Sequence, residues 1–226
     1  MNVSDAGGAG PNPWSLVHLA SVRLMPTRVI VVQHGDKERR AGDPGLTAVG
    51  VDQAMAAARA VAVRGHPTEV WSSPLRRAIE TAAPLAERTG VSVQQDARLR
   101  ERMNWDDSDA QSLDAFLDDW AACTADRERR PRQGDSSADA ARRFIDALDD
   151  LAARRPDATT AVVAHGGVTT DALRTLLGDE ELARRAPTLI DDGVPCGALT
   201  TLEHDGARWT VVAIAATDHL PTETGP

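Results

Sequence analysis

The chain has 226 residues, enough for one sizeable α/β domain or at most two small ones at about 100 to 200 residues apiece. With 42% hydrophobic and 26% charged residues it reads as a soluble globule, and no apolar run approaches the roughly 18 residues that span a bilayer, so a transmembrane protein is excluded. A net charge of −9 argues against nucleic acid and anionic membranes as partners, and two distant cysteines, Cys123 and Cys196, make neither a disulfide framework nor a CxxC motif, so a reducing cytoplasm is the default location.

Residues 1–26, with Gly7-Gly8-Ala9-Gly10-Pro11-Asn12-Pro13, are predicted to form a flexible extension. They lack the basic start and long apolar core of a signal peptide, and Met25 is a second candidate start. Val29 to Val32 are four consecutive β-branched residues, which suits a strand buried on both faces. Alanine-rich residues 46–64 carry apolar groups at helical spacing, with Thr47 placed to cap the start. Glu69-Val70-Trp71 reads as a second strand, and Ser73-Pro74 as a helix N-cap and first turn. Arg76 and Arg77 then lie at the positive end of that helix, where cations call for a nearby anion.

Val91-Ser92-Val93 is a third predicted strand. Beyond Leu99-Arg100-Glu101, residues 102–136 break the β/α rhythm with an acidic helix around 112–120 and are predicted to be an insertion capping the carboxyl edge of the sheet. Its Trp105, Phe116 and Trp120 fit either a substrate mouth or the packing of that cap. Its acidic run, Asp106, Asp107, Asp109, Asp114, Asp118 and Asp119, reads as a solvated face. A long helix at 137–155, ended by Pro156, leads to a strand at 160–164 and a helix around 168–177 closed by Gly178. A short helix to Arg185 follows, then two strands joined through Asp205-Gly206, a strong hairpin signal. The predicted fold class is three-layer α/β/α with a mostly parallel mixed sheet, as one domain over residues 27–220 with a tail at 221–226.

The chemistry lies at two strand ends. Val32-Gln33-His34-Gly35 and Ala164-His165-Gly166-Gly167 each deliver a histidine into a glycine turn, at the sheet edge where open α/β folds bind ligands. Two imidazoles in matching settings point to one shared site. The chain's cations are arginines except for Lys37, its only lysine, so a phosphate site here must be built mainly from guanidinium groups, histidines and helix N-termini. His18, His66, His204 and His219 read as surface or structural residues.

Several ordered motifs together resemble the histidine phosphatase superfamily, also called the phosphoglycerate-mutase-like family, over about residues 27–220. They are Gln33-His34-Gly35; Leu46-Thr47-x-x-Gly50-x-x-Gln53-Ala54; Ser72-Ser73-Pro74-Leu75-x-Arg77-Ala78-x-Glu80-Thr81-Ala82; Leu99-x-Glu101; and Ala164-His165-Gly166-Gly167. Cys196-Gly197-Ala198-Leu199-Thr200 and Thr217-Asp218-His219-Leu220 resemble its ending. The resemblance implies a phosphomonoesterase in which His34 is the nucleophile and becomes transiently phosphorylated. It implies that Glu101 is general acid and then general base, while Arg77 and His165 stabilise phosphoryl oxygens. Gln33, Gly35 and Gly166 fall at the remaining phosphate-binding positions. No metal and no cofactor is required, and the expected partner is a phosphorylated small molecule or phosphoprotein, with a homodimer left open.

Two departures matter. The family pattern has arginine at position 33, one of its two phosphate clamps; glutamine keeps a donor but loses the charge, an expected penalty of about tenfold to several hundredfold. Arg76, Lys37, Arg39, Arg40 and Arg102 are the cations near enough in sequence to replace it. The mutase branch also carries an asparagine shortly after the first histidine turn, where this chain has Asp36-Lys37-Glu38-Arg39, which favours the phosphatase branch. The alternative is a degenerate member that binds a phospho-ligand without efficient turnover. A two-histidine, one-carboxylate metal site from His34, Asp36 and His165 is a third reading, disfavoured by the repulsion of a divalent metal by Arg77.

Overall fold

A computed structural model describes residues 25–105 and 111–221. Six strands form one sheet: β1 (Thr27–Gln33), β2 (Glu69–Ser72), β3 (Val93–Gln95), β4 (Thr159–Ala164), β5 (Leu199–His204) and β6 (Trp209–Ala216), in the order β3-β2-β4-β1-β5-β6. The first four run parallel, while β5 and β6 are antiparallel to their neighbours. The sheet is mixed, and β1 is the strand where parallel pairing gives way to antiparallel.

Strand periodicity creates the layers. Val29 and Val31 of β1 enter one apolar cluster, and Ile30 and Val32 enter the other. The odd-numbered face of β1 packs against α4 (Ser137–Arg154) and α5 (Gly166–Leu177), through Phe144, Leu148 and Leu173. The even-numbered face packs against α1 (Ala48–Gly65) and α2 (Arg76–Thr89), through Ala57, Val61, Ala78 and Leu85. A continuous β-branched run is what a strand needs when both faces are buried.

Helix starts follow local capping chemistry. Thr47 accepts the Gly50 N–H at α1, Ser112 accepts Ala115 N–H at α3 (Leu113–Ala125), and Ser136 accepts Asp139 N–H at α4. The expected cap at Ser73 is corrected: Leu75 is the N-cap of α2 and offers no side-chain bond. Ser73 Oγ instead accepts Leu75 N–H one step earlier, and the Asp43 carboxylate accepts Arg76 N–H at 2.9 Å. The anion at this positively polarised helix end is thus supplied from within the chain. Two short helices, α6 (Asp179–Arg185) and α7 (Leu189–Asp192), precede β5, and the second escaped sequence reading because a single turn has no periodicity.

The third strand lies two residues later than predicted. Of the predicted extension and tail, only residues 25, 26 and 221 are described, and Asp106, Asp107 and Asp109 lie outside the described residues. Asp119 is corrected from solvated to buried, where it accepts a hydrogen bond from Gln111. Among the described residues no helix is long and apolar enough to cross a membrane.

Candidate active site

Sheet register brings the two histidines together. Gln33 pairs with Ala164 at the carboxyl ends of β1 and β4, so His34 and His165 each sit one residue beyond a matched pair. Their ring centroids are 5.2 Å apart. In the same register Ser72 of β2 lies beside Val163, which places Ser73 next in the row. Both histidines have the parity of the face covered by α1 and α2, and that is where Arg77 waits in the first turn of α2.

The hydrogen bonds of His34 define its tautomer. Nδ1 lies 2.7 Å from the Gly35 carbonyl oxygen, which can only accept, so Nδ1 carries the proton and Nε2 the lone pair. Arg77 Nε–H donates to that Nε2 at 3.2 Å. Burial first, and the Arg77 guanidinium second, push the His34 pKa down to about 3. His165 is fully buried, with Nε2 2.7 Å from Ser73 Oγ and Nδ1 without a partner among the described residues; burial and then Arg77 also hold its pKa well below the ordinary value.

Both effects oppose protonation, so below pH 6.5 the folded protein binds fewer protons than the unfolded chain. Folding stability is therefore expected to fall as pH drops from 6.5 toward 5, by at most about 1.4 kcal/mol per pH unit for each of these histidines. Urea midpoints that stay flat across that window would contradict the burial of neutral imidazoles.

Glu101 follows the 3-10 turn Ala97–Leu99 and reaches across to α5. Its carboxylate oxygens accept Gly167 N–H at 2.9 Å, Val168 N–H at 2.7 Å and Arg102 N–H at 2.9 Å. A Cβ on Gly167 would meet this carboxylate and the Trp120 ring, so glycine makes the approach possible. Gly35 has a similar reason: a Cβ there would overlap the Gly50 carbonyl, and the first turn of α1 could not seat against the His34 turn. The Gly35 N–H is held by Thr81 Oγ1 at 3.0 Å, and Thr81 in turn donates to the Arg77 carbonyl. Thr81 and Ser73 therefore support the site, a role their places in a helix and a turn did not announce.

A cavity of about 280 Å³ opens over His34, Arg77 and Glu101. Lys37 and Arg40 line its polar side, and Trp105, Phe116 and Trp120 are among its apolar walls, so these aromatic residues do border the site. Gln33 is not brought to it. The side chain lines an adjoining cavity of about 220 Å³ with Gly166, Thr170 and Asp171, on the α5 side, which shares Glu101 and Trp120 with the first but not His34 or Arg77. Arg102 is also committed elsewhere: it pairs with Asp171 at 3.1 Å, donates to Thr124, and stacks 3.8 Å over Trp120. Asp36, the carboxylate of the metal reading, accepts from Thr47 Oγ1 at 2.8 Å at the start of α1.

The sequence profile of the histidine phosphatase superfamily (branch 1) matches residues 29–217. The chain belongs to the histidine phosphatase superfamily. It is 33% identical over 168 residues to glucosyl-3-phosphoglycerate phosphatase of Mycolicibacterium vanbaalenii, an overlap of 67% of this chain and 74% of the relative. The mycobacterial glucosyl-3-phosphoglycerate phosphatase Rv2419c, solved with inorganic phosphate, superposes with a TM-score of 0.68 at 30% identity, covering 86% of this chain and 99% of that one. A phosphoserine phosphatase from Entamoeba histolytica, solved as the H9A mutant with phosphoserine, superposes with a TM-score of 0.67 over 86% of this chain and 100% of that one. At 21% identity that likeness speaks for the fold alone.

Proposed function

We propose that this superfamily member hydrolyses a phosphorylated small molecule through a phosphohistidine formed on His34 Nε2. The observation that carries this reading is the His34 tautomer: with Nδ1–H held by the Gly35 carbonyl, the lone pair is on Nε2, where it accepts the Arg77 Nε–H that an incoming phosphoryl group would take over. The names of the relatives favour a small-molecule substrate over a phosphoprotein.

In the first step the Nε2 lone pair forms an N–P bond while the ester P–O bond breaks, and the leaving oxygen takes a proton from the Glu101 carboxyl. Arg77 and His165 hold the equatorial phosphoryl oxygens as charge develops. With Ser73 O–H donating to His165 Nε2, the proton of His165 resides on Nδ1, which is buried and has no partner among the described residues, and we assign this N–H to the phosphoryl oxygens. Water then attacks phosphorus and gives its proton to Glu101, and the N–P electrons return to His34 as inorganic phosphate leaves. The three backbone N–H groups that Glu101 accepts moor it in the proton-receiving arrangement of this second step.

The test is a panel of phosphomonoesters assayed with chelator present, alongside calorimetric titration with inorganic phosphate. Chelator-resistant turnover with acid-labile phosphate on the protein is expected. Phosphate binding with no turnover on any substrate would replace this reading with that of a degenerate binding protein.

A further inference from the structure

We propose that Lys37 supplies the second phosphate-binding charge of this site, in place of the arginine that the superfamily pattern puts at position 33. The inference rests on the phosphatase reading above. Strand parity sends Gln33 to the α5 face of the sheet, away from His34, and glutamine is too short to wrap around the strand end as an arginine can. A charge that meets the phosphoryl group beside His34 is therefore sought among the cations near the cavity that holds His34 and Arg77.

The five nearby cations separate cleanly. Arg76 is held by Glu80 at 2.7 Å, and Arg102 is buried in its pair with Asp171. Arg39 is exposed and does not line the cavity. Arg40 does line it, but its guanidinium pairs with Glu38 at 2.7 Å in an exposed position. Lys37 remains: half-buried, on the cavity wall with His34 and Arg77, and paired with no carboxylate among the described residues. The neighbouring Asp36 carboxylate accepts from Thr47 instead.

Two cations gathered around a neutral histidine favour an anion between them. Burial, and then repulsion from Arg77, hold the Lys37 ammonium below its ordinary pKa, and a bound phosphoryl dianion opposes both effects. The backbone of Lys37 is fixed by a bridge to Leu46, so its side chain springs from an anchored turn.

Because Lys37 is the only lysine, side-chain amine acylation reads this residue alone once the N-terminal amine is accounted for. In the full chain, inorganic phosphate at ten times its dissociation constant is expected to slow Lys37 acylation about tenfold, and to do so equally in His34→Ala, where binding is separated from chemistry. On a simple aryl phosphate, Lys37→Met is expected to lower kcat/KM about 10- to 100-fold, while Lys37→Arg stays close to wild type. Adding Gln33→Arg to Lys37→Met should recover most of the loss, and Gln33→Arg alone should raise activity less than it does in that background. Unchanged acylation under saturating phosphate, or a double variant as impaired as Lys37→Met, would overturn the proposal while leaving His34-dependent turnover intact. Absence of both phosphate binding and His34-dependent turnover would instead remove the phosphatase reading, and this assignment with it.

Discussion

His34→Ala is expected to lower kcat/KM on any phosphomonoester substrate by at least about a thousandfold and to abolish acid-labile phosphate on the protein. The size follows from the arrangement around Nε2. Among the described residues no other imidazole, thiol or hydroxyl lines the cavity: the remaining groups are cations, a carboxyl, the Asn104 amide, Gly42, Pro44 and apolar side chains. On the proposed mechanism, the catalysis left without His34 is only what Arg77, His165 and Glu101 would provide to direct attack by water. Mass spectrometry after rapid quench under alkaline conditions measures the intermediate. Persistence of phosphorylated protein in His34→Ala would place the nucleophile elsewhere.

Arg77→Ala is expected to cost about 10²- to 10³-fold in kcat/KM. Arg77 is a guanidinium at the bottom of the pocket, 2% exposed, held at the start of α2 with Asp43 4.0 Å away. In the proposed site its planar fork would span two phosphoryl oxygens, so Arg77→Lys keeps the charge but is expected to recover only part of the loss. A readout independent of turnover accompanies it. Arg77 is the second cause, after burial, of the low His34 pKa, so its removal should move His34 upward toward 6.5 in a histidine NMR titration. An unmoved His34 together with near-normal kcat/KM would show that Arg77 acts on neither the nucleophile nor the phosphoryl group.

Much of this architecture could be read from local pattern. The β-branched run at 29–32, the Thr47 cap and the Asp205-Gly206 turn each encode their element within a few residues, and each is found in the fold. The matching of His34 with His165 was legible because both end parallel strands in the same way. Ser73 was misread for a physical reason: its hydroxyl satisfies Leu75 N–H and His165 at once, and only the second contact, 92 residues away, gives it a place in the site. Asp119 looked like part of a solvated acidic face, but α3 turns it inward against Gln111.

The sequence by itself determined the family, the order of the strands and longer helices, and the place of the two histidines at strand ends, because these depend on short-range periodicity and on ordered motifs. Only the tertiary structure decided which way the neighbours of those histidines face. Adjacent residues on a strand point to opposite sides of the sheet, so Gln33 falls to α5 while His34 meets Arg77. Which of the surrounding cations is left without a carboxylate depends on packing between distant segments: Arg102 is claimed by Asp171, and Lys37 by no carboxylate among the described residues.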